Sequence, residues 1–409
     1  MFGVIIPRSD CKKTMAMRAP FQSSDLLGFS RRTLGAFAGL IGLVEAMHGR
    51  AAGEPGPSGA RGKAYGKLRR VTGLVSGGID ALLGRFGAAS GELPSSPERE
   101  AVLAALNGVL GDYLEASGNP QAIPMRLRRA GLPLGLERPA LAAAIPHPGS
   151  RLLVLVHGLF MNDLQWTRQG HDHGAALERD LGRTALYLHY NSGRHISTNG
   201  REFAELLERL VGAWPVPVAE LEILGFSMGG LLARSAWHYG TAAGHGWPAR
   251  LGKLVFLATP HFGAPLERAG HWVDLLLGAS SYTEPLARLG QARSAGITDL
   301  RHSSLLDEDW VGRDRFADSA DLPRALPLPE GVACYAMAAT TGRREGDFKD
   351  RWIADGLVPL ASALGRHEDP ARTLRFPEAR QWIGYRMNHL DLLCRPEVYG
   401  KLRQWIGED

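Results

Sequence analysis

Three cysteines in 409 residues, Cys11, Cys334 and Cys394, are too few for a disulfide scaffold and lack the paired spacing of a Cys-based zinc site. A reducing compartment suits such a chain, with material for one bridge at most. No uncharged apolar run reaches the roughly 18 residues that would suggest a membrane-crossing helix. Neither G-x-x-x-x-G-K-S/T nor a glycine-rich dinucleotide fingerprint follows a strand, which excludes the common nucleotide-phosphate loops. What is present is 44% hydrophobic and 22% charged residues. That is enough apolar material for a sizeable core, and it excludes wholesale disorder.

Charge is unevenly placed. Residues 1–150 carry 18 Lys/Arg against 11 Asp/Glu, whereas the rest carry 29 against 31, so the net +5 arises in the N-terminal third. A basic segment ahead of a near-neutral body reads either as a solvated helical face or as a contact for an anionic surface such as lipid headgroups. No nucleic-acid-binding pattern accompanies it. Residues 1–22 form a loose tail, in which Met15 or Met17 could be the true start. Apolar stripes then run through Leu27, Leu34, Phe37, Ile41 and Val44, through Leu68, Val71, Val75, Ile79, Leu82 and Phe86, and through Val102, Leu106, Val109 and Tyr113. Residues 23–140 are thus expected as an amphipathic helical extension, broken by a Gly/Pro-rich linker near residues 49–62. It would either pack as a cap on the main domain or lie on a membrane surface. Ser30-Arg31-Arg32-Thr33-Leu34 has the look of a twin-arginine export signal. The pair sits some thirty residues into the chain, however, and Glu45 and His48 interrupt the apolar stretch. The expectation is therefore a cytoplasmic protein, with peripheral membrane contact through the basic helices as the alternative to their packing as a cap.

From residue 151 the texture changes. Arg151–Val156 is a continuous apolar run, as expected of a strand buried on both faces of a parallel sheet. Further strands are predicted over 184–190, 221–224, 254–258 and 332–338, with helices over 201–212 and 229–239. Strands alternating with helical patterns across some 250 residues define an open, largely parallel α/β sheet over residues 150–409.

The chemistry centres on Leu224-Gly225-Phe226-Ser227-Met228-Gly229-Gly230. A bare G-x-S-x-G is weak evidence. Here it follows a short apolar strand and opens a helix, the strand–turn–helix that a nucleophile elbow requires. Gly225 and Gly229 would let backbone approach a strained turn without a Cβ clash. Ser227 would then stand at a helix N-terminus, whose dipole favours developing negative charge. Acyl transfer needs two backbone N–H groups aimed at the oxyanion. Met228 would supply one, and the Val156-His157-Gly158-Leu159-Phe160 loop the other, with Leu159 preferred and Phe160 as second choice. Phe160 and Phe226 are the candidate substrate contacts. His157 shapes the loop, with a general-base role as its lesser alternative.

From about residue 150 to 407 the chain resembles the lipase/esterase type of α/β-hydrolase, near the bacterial triacylglycerol lipases and the GPI inositol-deacylase-like lipases. The matching stretches are His157-Gly158-Leu159, Gly225 to Gly230, Ala258 to Pro265, Asp355-Gly356-Leu357-Val358-Pro359 and Asn388-His389-Leu390-Asp391. The resemblance implies an α/β-hydrolase fold and ester hydrolysis through a triad in the chain order Ser, acid, His. Ser227, Asp355 and His389 obey that order. Asp347, Asp350, Asp369 and Asp391 remain rival acids, and His302 and His367 rival bases, while His261 would shape its loop. Residues 265–329, which lack a clear strand, would be a cap or lid insertion over an apolar acyl pocket.

No cofactor and no metal is implied. The histidines of His171-Asp172-His173 cannot share one helical face at i and i+2, and no third ligand has obvious spacing. No oxygen-rich calcium loop stands out. The expected partner is a lipid or hydrophobic ester substrate. Phospholipase, GPI-type deacylase, thioesterase and acyltransferase are alternatives within the same chemistry, and a surface-binding protein with little turnover is the alternative outside it.

Overall fold

Leu103, Leu106, Val109, Leu110 and Leu114 recur at helical spacing, and all five are buried. A computed structural model, which describes residues 97–264, 294–313, 326–344 and 354–408, makes this stripe one face of α1 (Pro97–Ala116). A tight hairpin follows, β1 (Arg126–Arg129) and β2 (Leu132–Pro133). Its turn residues Ala130 and Gly131 both have positive φ, the combination that matches the twist of paired strands. Next come α2 (Arg138–Ala144), with Pro139 in its first turn, and β3 (Arg151–Val156). The alternation continues with α3 (His173–Leu181), β4 (Thr184–His189), α4 (Ile196–Ala213), β5 (Glu220–Phe226), α5 (Met228–Ala242) and β6 (Leu251–Leu257). After α6 (Ala295–His302) come β7 (Ala333–Thr340), the single turn α7 (Leu360–Ala363), β8 (Gln381–Tyr385) and α8 (Pro396–Gly407).

The eight strands form one sheet in the order β2-β1-β4-β3-β5-β6-β7-β8. β1 runs antiparallel to β2 and β4, and every other pairing is parallel. Strands buried on both faces must divide their side chains between two cores, and these do. Leu152, Val154 and Val156 join the helices α1, α4 and α5, whereas Leu153 and Leu155 join α3 and α8. Successive strands leave β3 in opposite directions, β4 on one side and β5 on the other. Such a reversal opens a crevice beyond the carboxyl ends of the strands.

The predicted strands and helices from residue 151 onward fall where elements occur. The sheet itself begins earlier, inside the stretch expected to be a separate helical extension. β1 pairs with β4 through Arg126, Leu127 and Arg128, and α1 packs its apolar stripe into the main core. β1 carries no strand signal in the sequence, because only one of its four residues, Leu127, is apolar. The apolar face of α1 is thereby consumed within the fold. The first two helical stripes and the tail lie outside the described residues, as do residues 265–293 and 314–325 of the expected lid. The described part of that interval is tied to the core: Ser294 Oγ donates to the Gly108 carbonyl at 2.7 Å, and α6 is buried from Ala295 to Leu300. No helix among the described residues is long and apolar enough to cross a membrane.

Candidate active site

Non-glycine residues with positive φ gather at the carboxyl edge of the sheet. Phe160 follows β3, Ser227 β5, Ala258 β6, Ala354 β7 and Arg386 β8. Left-handed backbone is costly for such residues and persists where the surrounding structure over-determines it.

Ser227 has φ 55° and ψ −124° and is the residue between β5 and α5. Its amide donates to the Leu257 carbonyl at 2.7 Å, which ties the turn to the next strand. The flanking glycines are there for close approach. A Cβ on Gly225 would lie 2.6 Å from the Gly230 Cα, and one on Gly229 would lie 2.2 Å from the Val156 carbonyl oxygen. Ser227 Oγ is buried and has no hydrogen-bond partner. Met228 is the first residue of α5, so its amide is among the N–H groups a helix start leaves without an internal acceptor.

Asp355 and His389 are brought together. His389 Nδ1 lies 2.7 Å from Asp355 Oδ2, and both side chains are essentially inaccessible. The other carboxylate oxygen, Oδ1, accepts the amides of Leu357 at 2.9 Å and Val358 at 2.8 Å. The loop carrying Asp355 is anchored on β7, since the Thr341 amide donates to the Ala354 carbonyl at 2.8 Å. Asn388 caps the short turn His389–Leu393 with its own side chain. Phe226, the residue before the elbow serine, packs its ring 4.7 Å from the His389 ring and edge-on to Trp166. Phe226 and Phe160, the candidate substrate contacts, are both buried.

The rival groups lie elsewhere. Asp391 is spent on the cap of its own turn, where its Oδ2 accepts the Asn388 amide at 2.9 Å. Asp369 is exposed, and its amide donates to His367 Nδ1. The His367 ring packs on Phe262, and His302 ends α6. Asp347 and Asp350 fall outside the described residues. His261 faces Arg234, whose Nη1 donates to its Nδ1 at 3.3 Å. Burial holds the His261 pKa well below the ordinary value, with Arg234 adding to the effect.

His157 is fully buried, and burial lowers its pKa to about 3, which suits a neutral loop-shaping residue. Tyr190 stacks on its ring at 4.3 Å and donates its hydroxyl to the His157 carbonyl at 2.9 Å. The Phe160 amide is used by Ser192 Oγ at 3.2 Å. Of the two loop amides considered for an oxyanion, that leaves Leu159 as the one not taken up by Ser192. Tyr190 and Ser192 were not singled out in the sequence. The available signal was their position directly after β4, at the edge where ligands bind in open α/β sheets.

Among the described residues, Glu100, Asp163 and His189 converge with ligand-type atoms within 4.8 Å of one another. Arg128 already supplies a cation there, with Nη1 at 2.8 Å from Glu100 and 3.1 Å from Asp163. His171 and His173 meet at 2.9 Å, but His173 Nε2 is directed to the Leu392 carbonyl and Asp172 caps α3.

A mostly parallel sheet with helices on both faces, and a strained serine between strand and helix at its carboxyl edge, is the α/β-hydrolase fold. A family model described as a domain of unknown function (DUF7379) matches residues 135–301. No curated protein matches the chain. Among solved structures, the chain is similar to the mature lipase BlEst2 of Bacillus licheniformis, at 14% identity and a TM-score of 0.43 over 70% of this chain and 98% of that one. It is also similar to a hyperthermophilic esterase from the archaeon Pyrobaculum calidifontis, at 14% identity and a TM-score of 0.41 over 80% and 95% of the two chains. A thermophilic esterase from Thermogutta terrifontis matches at 15% identity and a TM-score of 0.35, over 70% and 94%. At these identities the likeness is one of fold.

Proposed function

We propose that the protein is a serine hydrolase that cleaves carboxylic esters of lipid-like substrates through an acyl-enzyme on Ser227. The observation that carries this reading is the buried Asp355–His389 pair, with the imidazole packed against the residue that precedes the elbow serine. In this mechanism His389 Nε2 takes the Ser227 proton as Oγ attacks the ester carbonyl. Asp355 fixes the tautomer through Nδ1–H and stabilises the imidazolium. The Leu159 and Met228 amides receive the oxyanion. Collapse of the tetrahedral intermediate expels the alcohol, which takes the proton from His389. Water, activated by the same imidazole, then releases the acid and restores Ser227.

The motif set favours the bacterial triacylglycerol lipases and the GPI inositol-deacylase-like lipases as the family within this class. The test is fluorophosphonate labelling of Ser227 together with hydrolysis of p-nitrophenyl esters of increasing chain length. Labelling and turnover that both disappear in Ser227→Ala support the reading. A well-folded wild type that neither labels nor turns over leaves a binding protein instead. Phospholipid, thioester and alcohol-acceptor assays separate the neighbouring chemistries.

A further inference from the structure

Phe160 holds the turn that carries the Leu159 amide, and it does so with φ 63°, a conformation an aromatic side chain rarely adopts. Something must impose it, and two contacts do. The Phe160 amide is held by Ser192 Oγ, and its ring lies on the backbone of α1 at Gly108. A Cβ added at Gly108 would stand 2.1 Å from the ring's Cδ1 and 2.8 Å from Cε1, so only a glycine admits the ring at this depth.

The segment that supplies Ser192 rests on the same helix. Asn191 Nδ2 donates to the Gly111 carbonyl at 2.9 Å, and a Cβ at Gly111 would meet the Asn191 side chain at 1.8 Å. Asn107, on the preceding turn, fixes α1 in place by donating to the Gln121 carbonyl at 2.8 Å and accepting the Ile123 amide at 2.9 Å. A glycine inside a helix is destabilising relative to alanine. Two of them, three residues apart, weaken α1 on the face that meets the oxyanion loop and its support.

We propose that α1 is a positioning element for catalysis: Gly108 and Ser192 fix Phe160, and through it aim the Leu159 amide at the oxyanion. This rests on the ester-hydrolase reading above. It gives a part of the chain upstream of the predicted hydrolase domain a role in turnover of even small soluble esters.

The test uses the full chain with Gly108→Ala and Ser192→Ala, assayed on a short p-nitrophenyl ester. Rates are normalised by fluorophosphonate titration of Ser227, so that only folded sites are counted. Small misplacements of catalytic groups cost up to about 100-fold, and loss of one oxyanion donor costs about 100- to 1,000-fold. The expected result is a fall in kcat of about 10- to 100-fold with KM within about twofold of wild type. Affinity for an alkyl trifluoromethyl ketone, which forms an oxyanion on the serine, should fall in parallel. A merely structural helix would lower the number of titratable sites and leave kcat per site unchanged. Wild-type kcat per site in both variants, or a loss without weaker ketone binding, overturns the inference while leaving the hydrolase reading intact. If Gly108→Ala yields no folded protein, Ser192→Ala decides. A folded wild type with neither turnover nor labelling removes both readings.

Discussion

His389 and Asp355 are joined twice, by Nδ1 to Oδ2 at 2.7 Å and by the His389 amide to the Asp355 carbonyl at 3.0 Å. The second link fixes the histidine's backbone to the loop that carries its partner. The first then fixes the ring without requiring either side chain to sample rotamers. With Oδ1 accepting two amides and Oδ2 the imidazole, both carboxylate oxygens of Asp355 are engaged.

An amide cannot replace that carboxylate. In Asp355→Asn one orientation points NH2 at the Leu357 and Val358 amides, and the other points it at His389 Nδ1. The imidazole is then pushed to the wrong tautomer. Turnover of a short ester is expected to fall by about 10³–10⁴-fold. Adding Ser227→Ala should cost little more, because a triad acts as a unit. Steady-state rates on the single and double variants check this. A mild Asp355→Asn beside a severe Asp391→Asn or Asp369→Asn would move the acid elsewhere.

Sequence legibility followed residue chemistry. β3 is legible because Leu152–Val156 is an unbroken apolar run, β5 because Leu221, Ile223 and Leu224 outweigh the buried Glu222, and the elbow because its glycines have a steric purpose. The chain order of Ser227, Asp355 and His389 pointed to a pair that does lie in contact, Asp355 with His389. β1, with the sequence Arg-Leu-Arg-Arg, was illegible for a physical reason. Arg128 is charged because it pairs with buried Glu100 and Asp163, a long-range requirement that local periodicity does not register. The supports of the proposed oxyanion loop are hidden likewise, since Gly108 and Ser192 meet Phe160 only through the fold.

Gly229→Ala tests the elbow independently of its serine. The new methyl would lie 2.2 Å from the Val156 carbonyl oxygen and 2.6 Å from that of His157, both backbone atoms with little freedom to move. The β3 loop and α5 must separate, which displaces the Leu159 and Met228 amides together. The expected outcome is a loss of at least about 100-fold in kcat per folded site. Gly212→Ala, where a Cβ meets nothing within 4 Å, serves as the control and should leave activity unchanged.

Acid should destabilise the protein over a defined window. His173 is held at about 4 and His157 at about 3, in both cases chiefly by burial, against 6.5 in the unfolded chain. Below about pH 6.5 the unfolded state binds protons that the folded state refuses, so stability is fully present above that pH and declines as pH falls toward 4 and 3. His173 alone contributes on the order of 3 kcal/mol to this decline. Its neutral form also donates Nε2–H to the Leu392 carbonyl, on the same short turn as His389. Urea midpoints measured between pH 8 and pH 4 should stay level to about 6.5 and then drop. His173→Gln should lower the midpoint at pH 8 and make the drop shallower. An unchanged slope would show that His173 is not among the groups responsible.

A cationic clamp at the opposite end of the sheet governs stability without touching the chemistry. Arg183 pairs with Glu222 through Nε at 3.0 Å and Nη2 at 3.2 Å, and Nη2 also donates to the Ile406 carbonyl at 2.6 Å. Lys253 donates to the Ile406 and Glu408 carbonyls at 3.0 and 2.6 Å. Two cations thus meet the carbonyl end of α8, where the helix dipole is negative, and two carboxylates on β5 compensate them: Glu222 faces both cations, and Glu220 lies 3.9 Å from Lys253 Nζ. Burial raises the Glu222 pKa, so its charge depends on these neighbours. Arg183→Met leaves that carboxylate with Lys253 alone and should cost about 3–5 kcal/mol, the usual penalty for breaking a buried pair from one side. Removing both charges in Arg183→Met/Glu222→Met should recover much of the loss, because Lys253 keeps Glu220 as its carboxylate partner and no buried charge is stranded. Glu222 lies five residues before Ser227, about 16 Å along an extended strand, so kcat per folded site should not change in either variant. Urea denaturation of the four proteins in the cycle measures the coupling. Additive single losses would show that Arg183 acts through the α8 carbonyls alone.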